Sequence, residues 1–139
     1  MKNSPQAKAD FEILLNNAIP FIEFLLQKNK EFFPFAYLME TDGELLKLDS
    51  GIDDEHPTNQ EVIDSLKIQI RRAKQLKAVA IAYMTFNSSE NSDFITIEFS
   101  HVNGGGLLFV LPYAFKGITK RLELGSPTFG NPHSVIDLK

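Results

Sequence analysis

The chain contains no cysteine, and this absence excludes several classes of protein. Without thiols there is no disulfide framework, no cysteine nucleophile and no cysteine-ligated metal. Tryptophan is also absent, but twelve phenylalanines among 139 residues supply enough large apolar side chains for a core. The lack of cysteine fits a reducing compartment, and we therefore expect a cytoplasmic protein.

Basic charge and long apolar runs are scarce as well. Lys and Arg number 14 against 18 Asp and Glu, which gives a formal net charge of −4. A mildly acidic chain of this kind is not expected to bind nucleic acid. The sequence has no apolar run long enough to span a membrane and no hydrophobic signal-peptide region, so we expect no membrane partner.

The remaining composition is that of a single globular domain. Hydrophobic residues make up 43% of the chain and charged residues 23%, and we see no repeat or low-complexity tract. A length of 139 residues is ordinary for one domain. We therefore expect residues 1–139 to fold as one unit.

Three consecutive strands are predicted over residues 77–86, 93–102 and 106–115, because β-branched and aromatic residues recur there with period two. The first has a row of small side chains on one face, Ala78, Ala80 and Ala82, which should let a helix approach the sheet closely. Asn103-Gly104-Gly105 predicts a tight turn between the last two. Upstream, residues 32–40 and 44–49 predict another hairpin around Asp42-Gly43, and a short last strand is expected over residues 121–124. Residues 126–132 are predicted to be a loop.

Two main helices are predicted. Ser4-Pro5 is a good helix start, and a stripe of apolar residues follows, but Pro20 should kink the helix or divide it in two. The second helix is predicted from the capping box at Thr58 and Glu61 to about Gln75.

The predicted fold class is α+β, a five-stranded, mainly antiparallel sheet in the order 2-1-5-4-3 with two main helices. The order follows from strands 32–40 and 106–115, which are apolar on both faces and are therefore placed inside the sheet. This order of elements resembles profilin-like and PAS-like folds. The hairpin bearing Glu98, His101, Pro112 and Tyr113 also resembles a stretch of small uncharacterised bacterial proteins, a resemblance that implies no particular activity.

The candidate ligand-binding residues are Tyr83, Glu98, His101 and Tyr113. Glu98 and His101 are three positions apart on one strand, so they should face opposite sides and make a poor acid–base pair. We predict no catalytic constellation, no cofactor and no metal site. The acidic loop at residues 50–57 lacks the alternating oxygen ligands and central glycine of a calcium loop.

Three functions remain open at this point. The preferred interpretation is a non-enzymatic protein-interaction module, either an adaptor or an immunity-type protein whose acidic loop meets a basic partner. The alternatives are a small-molecule sensor and a hydrolase or isomerase that uses Glu98 or His101. If both helices cover one face of the sheet, the other face should be buried in a homodimer; one helix on each face would need no partner.

Overall fold

The structure is a computed structural model that describes residues 3–49, 58–89, 91–132 and 135–139. The acidic loop at residues 50–57 lies outside these residues. In chain order the elements are α1 (Pro5–Asn29), β1 (Phe35–Glu40), β2 (Leu45–Leu48), α2 (Asn59–Arg72), β3 (Leu76–Asn87), β4 (Ser92–His101), β5 (Gly106–Lys116), β6 (Arg121–Leu124) and β7 (Thr128–Gly130). The α+β class is therefore confirmed.

The sheet is antiparallel throughout and has seven strands, so the predicted count of five is wrong. The predicted order 2-1-5-4-3 is also wrong, because β1 pairs with β3 and the order runs β2-β1-β3-β4-β5. Both β6 and β7 pair with β5. They lie on its second edge, because β4 occupies the first.

The error in strand order has a physical cause in β3. Its residues from Leu76 to Ala82 are almost all buried, which requires cover on both faces and a neighbour on both sides. The predicted order placed this strand at an edge, because its alanine row was interpreted only as a contact surface for a helix. The strand at the edge of a sheet exposes its backbone, whereas a doubly apolar strand is stable only inside.

One face of the sheet packs against α1, and we call it the α1 face. Ala78, Ala80 and Ala82 of β3 lie under the helix stripe, as the small alanine row predicted. The stripe buries Phe11 and Leu14 among others and continues past Pro20 to Leu26. The small alanine side chains leave room for the helix to lie close to the sheet.

The described residues cover only part of the width of the opposite face, which we call the α2 face. Val62, Leu66 and Ile70 of α2 pack on β1 and β3, and buried Ile136 of the C-terminal segment joins the same cluster. The helices thus lie on opposite faces of the sheet. The condition on which a homodimer was expected, both helices on one face, is not met.

Two local predictions need correction. The first helix is one continuous element through Pro20, so its division into two short helices is wrong. The segment 126–132 contains β7, because the chain after β6 stays alongside β5 and pairs Phe129 with Phe109. By contrast, β6 has its predicted bounds. No described helix combines the length and apolar character that a membrane crossing requires.

Candidate functional site

The part of the α2 face over β4 and β5 lies beyond the apolar cluster that α2 makes. Side chains opposite one another in an antiparallel register share a face, and the registers of β3, β4 and β5 place one group together here. We call this group the open face: Tyr83, Thr85, Phe94, Thr96, Glu98, Leu108, Val110 and Pro112. All are half-buried except Thr96, which is buried.

Tyr83 and Glu98, two of the four candidate residues, meet on the open face. The Tyr83 hydroxyl donates a hydrogen bond to Oε2 of Glu98 at 2.9 Å. Burial, followed by the negative charge of Glu98 and this hydrogen bond, raises the pKa of the Tyr83 phenol. Tyr83 therefore stays a hydrogen-bond donor that holds the carboxylate, and Oε1 of Glu98 makes no hydrogen bond to any described residue.

A shallow cleft of about 600 Å3 runs along the open face. Its apolar walls include Phe94, Leu108 and Val110, and Thr128 of β7 stands at its far side. On its floor the hydroxyls of Thr85 and Thr96 lie 3.0 Å apart and hydrogen-bond to each other. Among the described side chains of the open face, Glu98 alone is charged. The surface is therefore mainly apolar with a single fixed anionic group.

His101 lies on the other side of the sheet, as the alternation of side chains along β4 predicted. Its Nε2 is 2.8 Å from Oδ2 of Asp10, a residue of α1 that is only 2% exposed. Lys77 places its Nζ 3.4 Å from the other carboxylate oxygen, and the Gln6 amide donates to both oxygens at 3.0 and 3.1 Å. This buried polar cluster ties α1 to β3 and β4.

The pKa of the Asp10 carboxyl lies below its ordinary value. Burial acts to raise it, but hydrogen bonds from His101 and Gln6, together with the charge of Lys77, outweigh burial. The carboxylate is therefore ionised and well satisfied. Asp10 was not among the residues predicted from the sequence. Its position in the buried stripe of α1, between Ala7 and Leu14, could have identified it as a buried polar residue.

The histidine has no nitrogen left for proton transfer. The backbone N–H of Asn103 donates to Nδ1 at 3.2 Å, so Nδ1 is the acceptor and Nε2 carries the proton given to Asp10. A general base needs a nitrogen that reaches the substrate. His101 is therefore a structural residue, and its distance across the sheet from Glu98 leaves the two without a shared site.

Tyr113, the fourth candidate, is also separate from the open face. It lies on the α1 face, where its hydroxyl donates to the sulfur of Met84 at 3.4 Å. Burial, with a smaller effect of the Asp93 carboxylate, raises the pKa of Tyr113 to about 12. The structure thus brings together Tyr83 and Glu98 but neither His101 nor Tyr113.

Three carboxylates gather at the β1–β2 hairpin. Ligand atoms of Glu40, Asp42 and Glu44 lie within 4.8 Å of one another, and the Glu44 N–H is bonded to Asp42 Oδ1 at 2.9 Å. Two of the three residues are exposed. Exposed acidic runs are ordinarily hydrated, so the grouping alone does not make a metal site.

Comparison of the chain with models of protein families, with curated proteins and with solved structures gave no match.

Proposed function

We propose that this protein is a non-enzymatic protein-binding module whose open face takes an apolar segment of a partner that carries a basic side chain. The observation that carries the proposal is the open face itself: its cleft has apolar walls that include Phe94, Leu108 and Val110, and Glu98, the cross-strand neighbour of Leu108, adds one carboxylate. Apolar surface of this kind commonly marks an interaction site. The half-buried charge of Glu98 favours a partner that supplies the opposite charge.

The charge of the open face favours a different protein over a second copy as the partner. Packing two open faces about a twofold axis would bring two Glu98 carboxylates into one interface. The described open-face side chains include no cation that would offset them. A partner with a lysine or arginine would instead reach Oε1 of Glu98, while Tyr83 holds Oε2. A homodimer that joins two open faces is therefore less favourable than a complex with a different protein.

The enzymatic alternative draws less support from the geometry. Glu98 and His101 lie on opposite faces, and both ring nitrogens of His101 are occupied. The immunity-type and adaptor versions of the module share the same surface, and they differ only in the partner. The sensor alternative depends on a separate cleft on the α1 face.

The proposal is tested by capture from a lysate of the source cells with four forms of the chain as bait: wild type, Ile118→Lys, Val110→Lys and Glu98→Gln. The wild type and Ile118→Lys, a substitution at a fully exposed turn position, should retain the same partner. Val110→Lys should lose it, because the added cation opposes a basic segment and disrupts the apolar wall. Melting curves of all four baits establish that each is folded.

The captured protein is then purified and its affinity measured by calorimetry. Glu98→Gln should weaken binding roughly 10- to 150-fold, since a charge-assisted hydrogen bond contributes about 1.5–3 kcal/mol. Added salt should weaken the wild-type complex more than the Glu98→Gln complex. Equal capture by wild type and Val110→Lys, or an affinity that Glu98→Gln leaves unchanged, would refute the proposal.

A further inference from the structure

A second cleft lies on the α1 face, between the first half of α1 and the strands β5 and β7. Its volume is about 350 Å3, which is within the range of small-molecule sites. The apolar lining consists of Phe11, Leu15, Phe99, Leu107 and Phe129. The open face plays no part in this cleft, because the two lie on opposite sides of the sheet.

The cleft offers three aromatic rings. Phe11 and Phe99 are buried at its base, with ring centroids 5.2 Å apart. Phe129 forms the outer wall; its ring meets that of Phe109 edge-on at 5.4 Å, yet the side chain is 58% exposed. Rings at these separations accept a further ring in edge-to-face contact. A bound aromatic molecule would also remove the exposed Phe129 from water.

The polar groups around the cleft disfavour a charged ligand. Asn3 is held by the backbone, because its side-chain amide donates to the Gly106 carbonyl and accepts from the Gly106 N–H. Lys8 and Glu12 lie one turn apart on α1, both exposed, and their charges cancel. An anionic ligand would gain from Lys8 what it loses to Glu12, and the reverse holds for a cation. The net field therefore favours an uncharged ligand.

We propose that this cleft binds a neutral aromatic small molecule, held by Phe11, Phe99 and Phe129. A peptide strand cannot pair with β5 beside the cleft, because β7 already pairs with this edge of β5 over Leu108 to Val110. Strand addition requires unpaired backbone groups. The volume and the three rings instead fit one or two fused rings. The cleft and the open face are separate sites, so the result at one does not decide the proposal for the other.

The test is an NMR titration of the full chain with indole, a neutral two-ring probe. We expect the methyl signals of Leu15 and Leu107 to shift in a saturable way. The methyl signals of Ile68, an exposed residue of α2 outside the cleft, should not shift. A probe of this size should bind with a Kd on the order of 0.1–1 mM. Indole-3-acetate and tryptamine, the anionic and cationic analogues, should bind no more tightly than indole.

Two variants with a matched control locate the site. Phe129→Ala should weaken indole binding about fivefold, as expected for one lost aromatic contact. Phe33→Ala removes a ring that is equally exposed, at 58%, but lies outside the cleft, and binding should stay unchanged. Leu15→Trp should fill the cleft and abolish binding if the variant folds; Phe129→Ala tests the site in either case.

Several outcomes would overturn the inference. Absence of saturable shifts at Leu15 and Leu107 would do so, as would equal effects of Phe129→Ala and Phe33→Ala. Much tighter binding of either charged analogue would refute the neutral-ligand assignment. Shifts at these methyls that grow with protein concentration without any probe would assign the cleft to a second copy of the chain.

Discussion

At the scale of single residues, Asp10 has the largest structural role among the polar side chains. It is almost fully buried in the α1 stripe and is bonded to His101, Gln6 and Lys77. Removing one member of a buried polar cluster leaves the others unsatisfied, and this costs more than the lost bonds themselves. The cluster therefore fixes how α1 sits on the sheet.

We expect Asp10→Ala to lower the free energy of unfolding by about 3 kcal/mol, because it leaves His101 and Lys77 without their shared acceptor. Denaturant unfolding at neutral pH measures the change. Glu12→Ala, at an exposed position of the same helix, is the control and should change stability by less than about 0.5 kcal/mol. Equal effects of the two substitutions would contradict the role of the cluster.

The same cluster predicts an acid dependence of stability. Folding lowers the pKa of Asp10, so its stabilising contribution is fully present above the unfolded value of about 4. The contribution is lost as the pH falls through the lower folded pKa. The difference in stability between wild type and Asp10→Asn should therefore narrow in strongly acidic solution. If the stability difference between wild type and Asp10→Asn stays constant into strongly acidic solution, the ionised Asp10 carboxylate does not stabilise the fold.

The turn before β5 gives a second prediction at this scale. Gly104 has a φ of 94°, whereas Gly105 does not adopt positive φ and is crowded: an added Cβ would lie 2.6 Å from Oδ1 of Asn3. Gly104→Val and Gly105→Val should each destabilise the fold by about 1–3 kcal/mol, for these two different reasons. Combining Gly105→Val with Asn3→Ala should relieve the crowding, while Asn3→Ala should not rescue Gly104→Val. Thermal melts of the set compare these outcomes.

At the scale of elements, α1 is continuous despite its internal proline. Pro20 lacks the N–H that would bond to the carbonyl of Asn16, and both residues are exposed. A carbonyl at an exposed position can be satisfied by solvent, and the buried stripe on either side of Pro20 packs on the same sheet face. Packing of this face, rather than local propensity, keeps the two halves in one helix.

Pro20→Ala should raise the free energy of unfolding by about 1–2 kcal/mol. The substitution restores one helix hydrogen bond, and the greater freedom of the unfolded chain offsets part of the gain. Chemical unfolding followed by circular dichroism measures the change. Lower stability of Pro20→Ala would mean that the proline fits a bend that the packing of α1 requires.

At the scale of the whole molecule, the two sheet faces are covered unequally. The α1 face is covered by a helix of 25 residues, whereas α2 has 14 residues and packs on β1 and β3. The C-terminal segment adds only a small cover, where the Ile136 N–H donates to the Ser100 hydroxyl at 3.0 Å. The described residues leave the open face without a covering helix, and this is the surface that we propose for a partner.

We expect the isolated chain to be a monomer at micromolar concentration, because two open faces would oppose like charges at Glu98. Light scattering coupled to size-exclusion chromatography measures the mass. Val110→Lys should leave this mass unchanged. A dimer that Val110→Lys converts to monomer would contradict the expectation and assign the open face to a second copy.

The sequence alone determined most of the elements and the direction of their side chains. Alternation placed Glu98 and His101 on opposite faces and the β3 alanines under a helix, and capping at Ser4 and Thr58 set both helix starts. These features depend on residues close together in the chain. Tyr83 and Glu98 were two of the four predicted ligand-binding candidates, and the structure places them in hydrogen-bond contact.

Only the tertiary structure decided the strand order, the placement of the helices on opposite faces and the pairing of Asp10 with His101. Each depends on contacts between distant parts of the chain, and Asp10 and His101 are 91 positions apart. The local sequence pattern indicates that β3 and β5 can each be covered on both faces. It does not indicate which strands lie beside them. That choice is settled by the burial of all apolar surfaces at once.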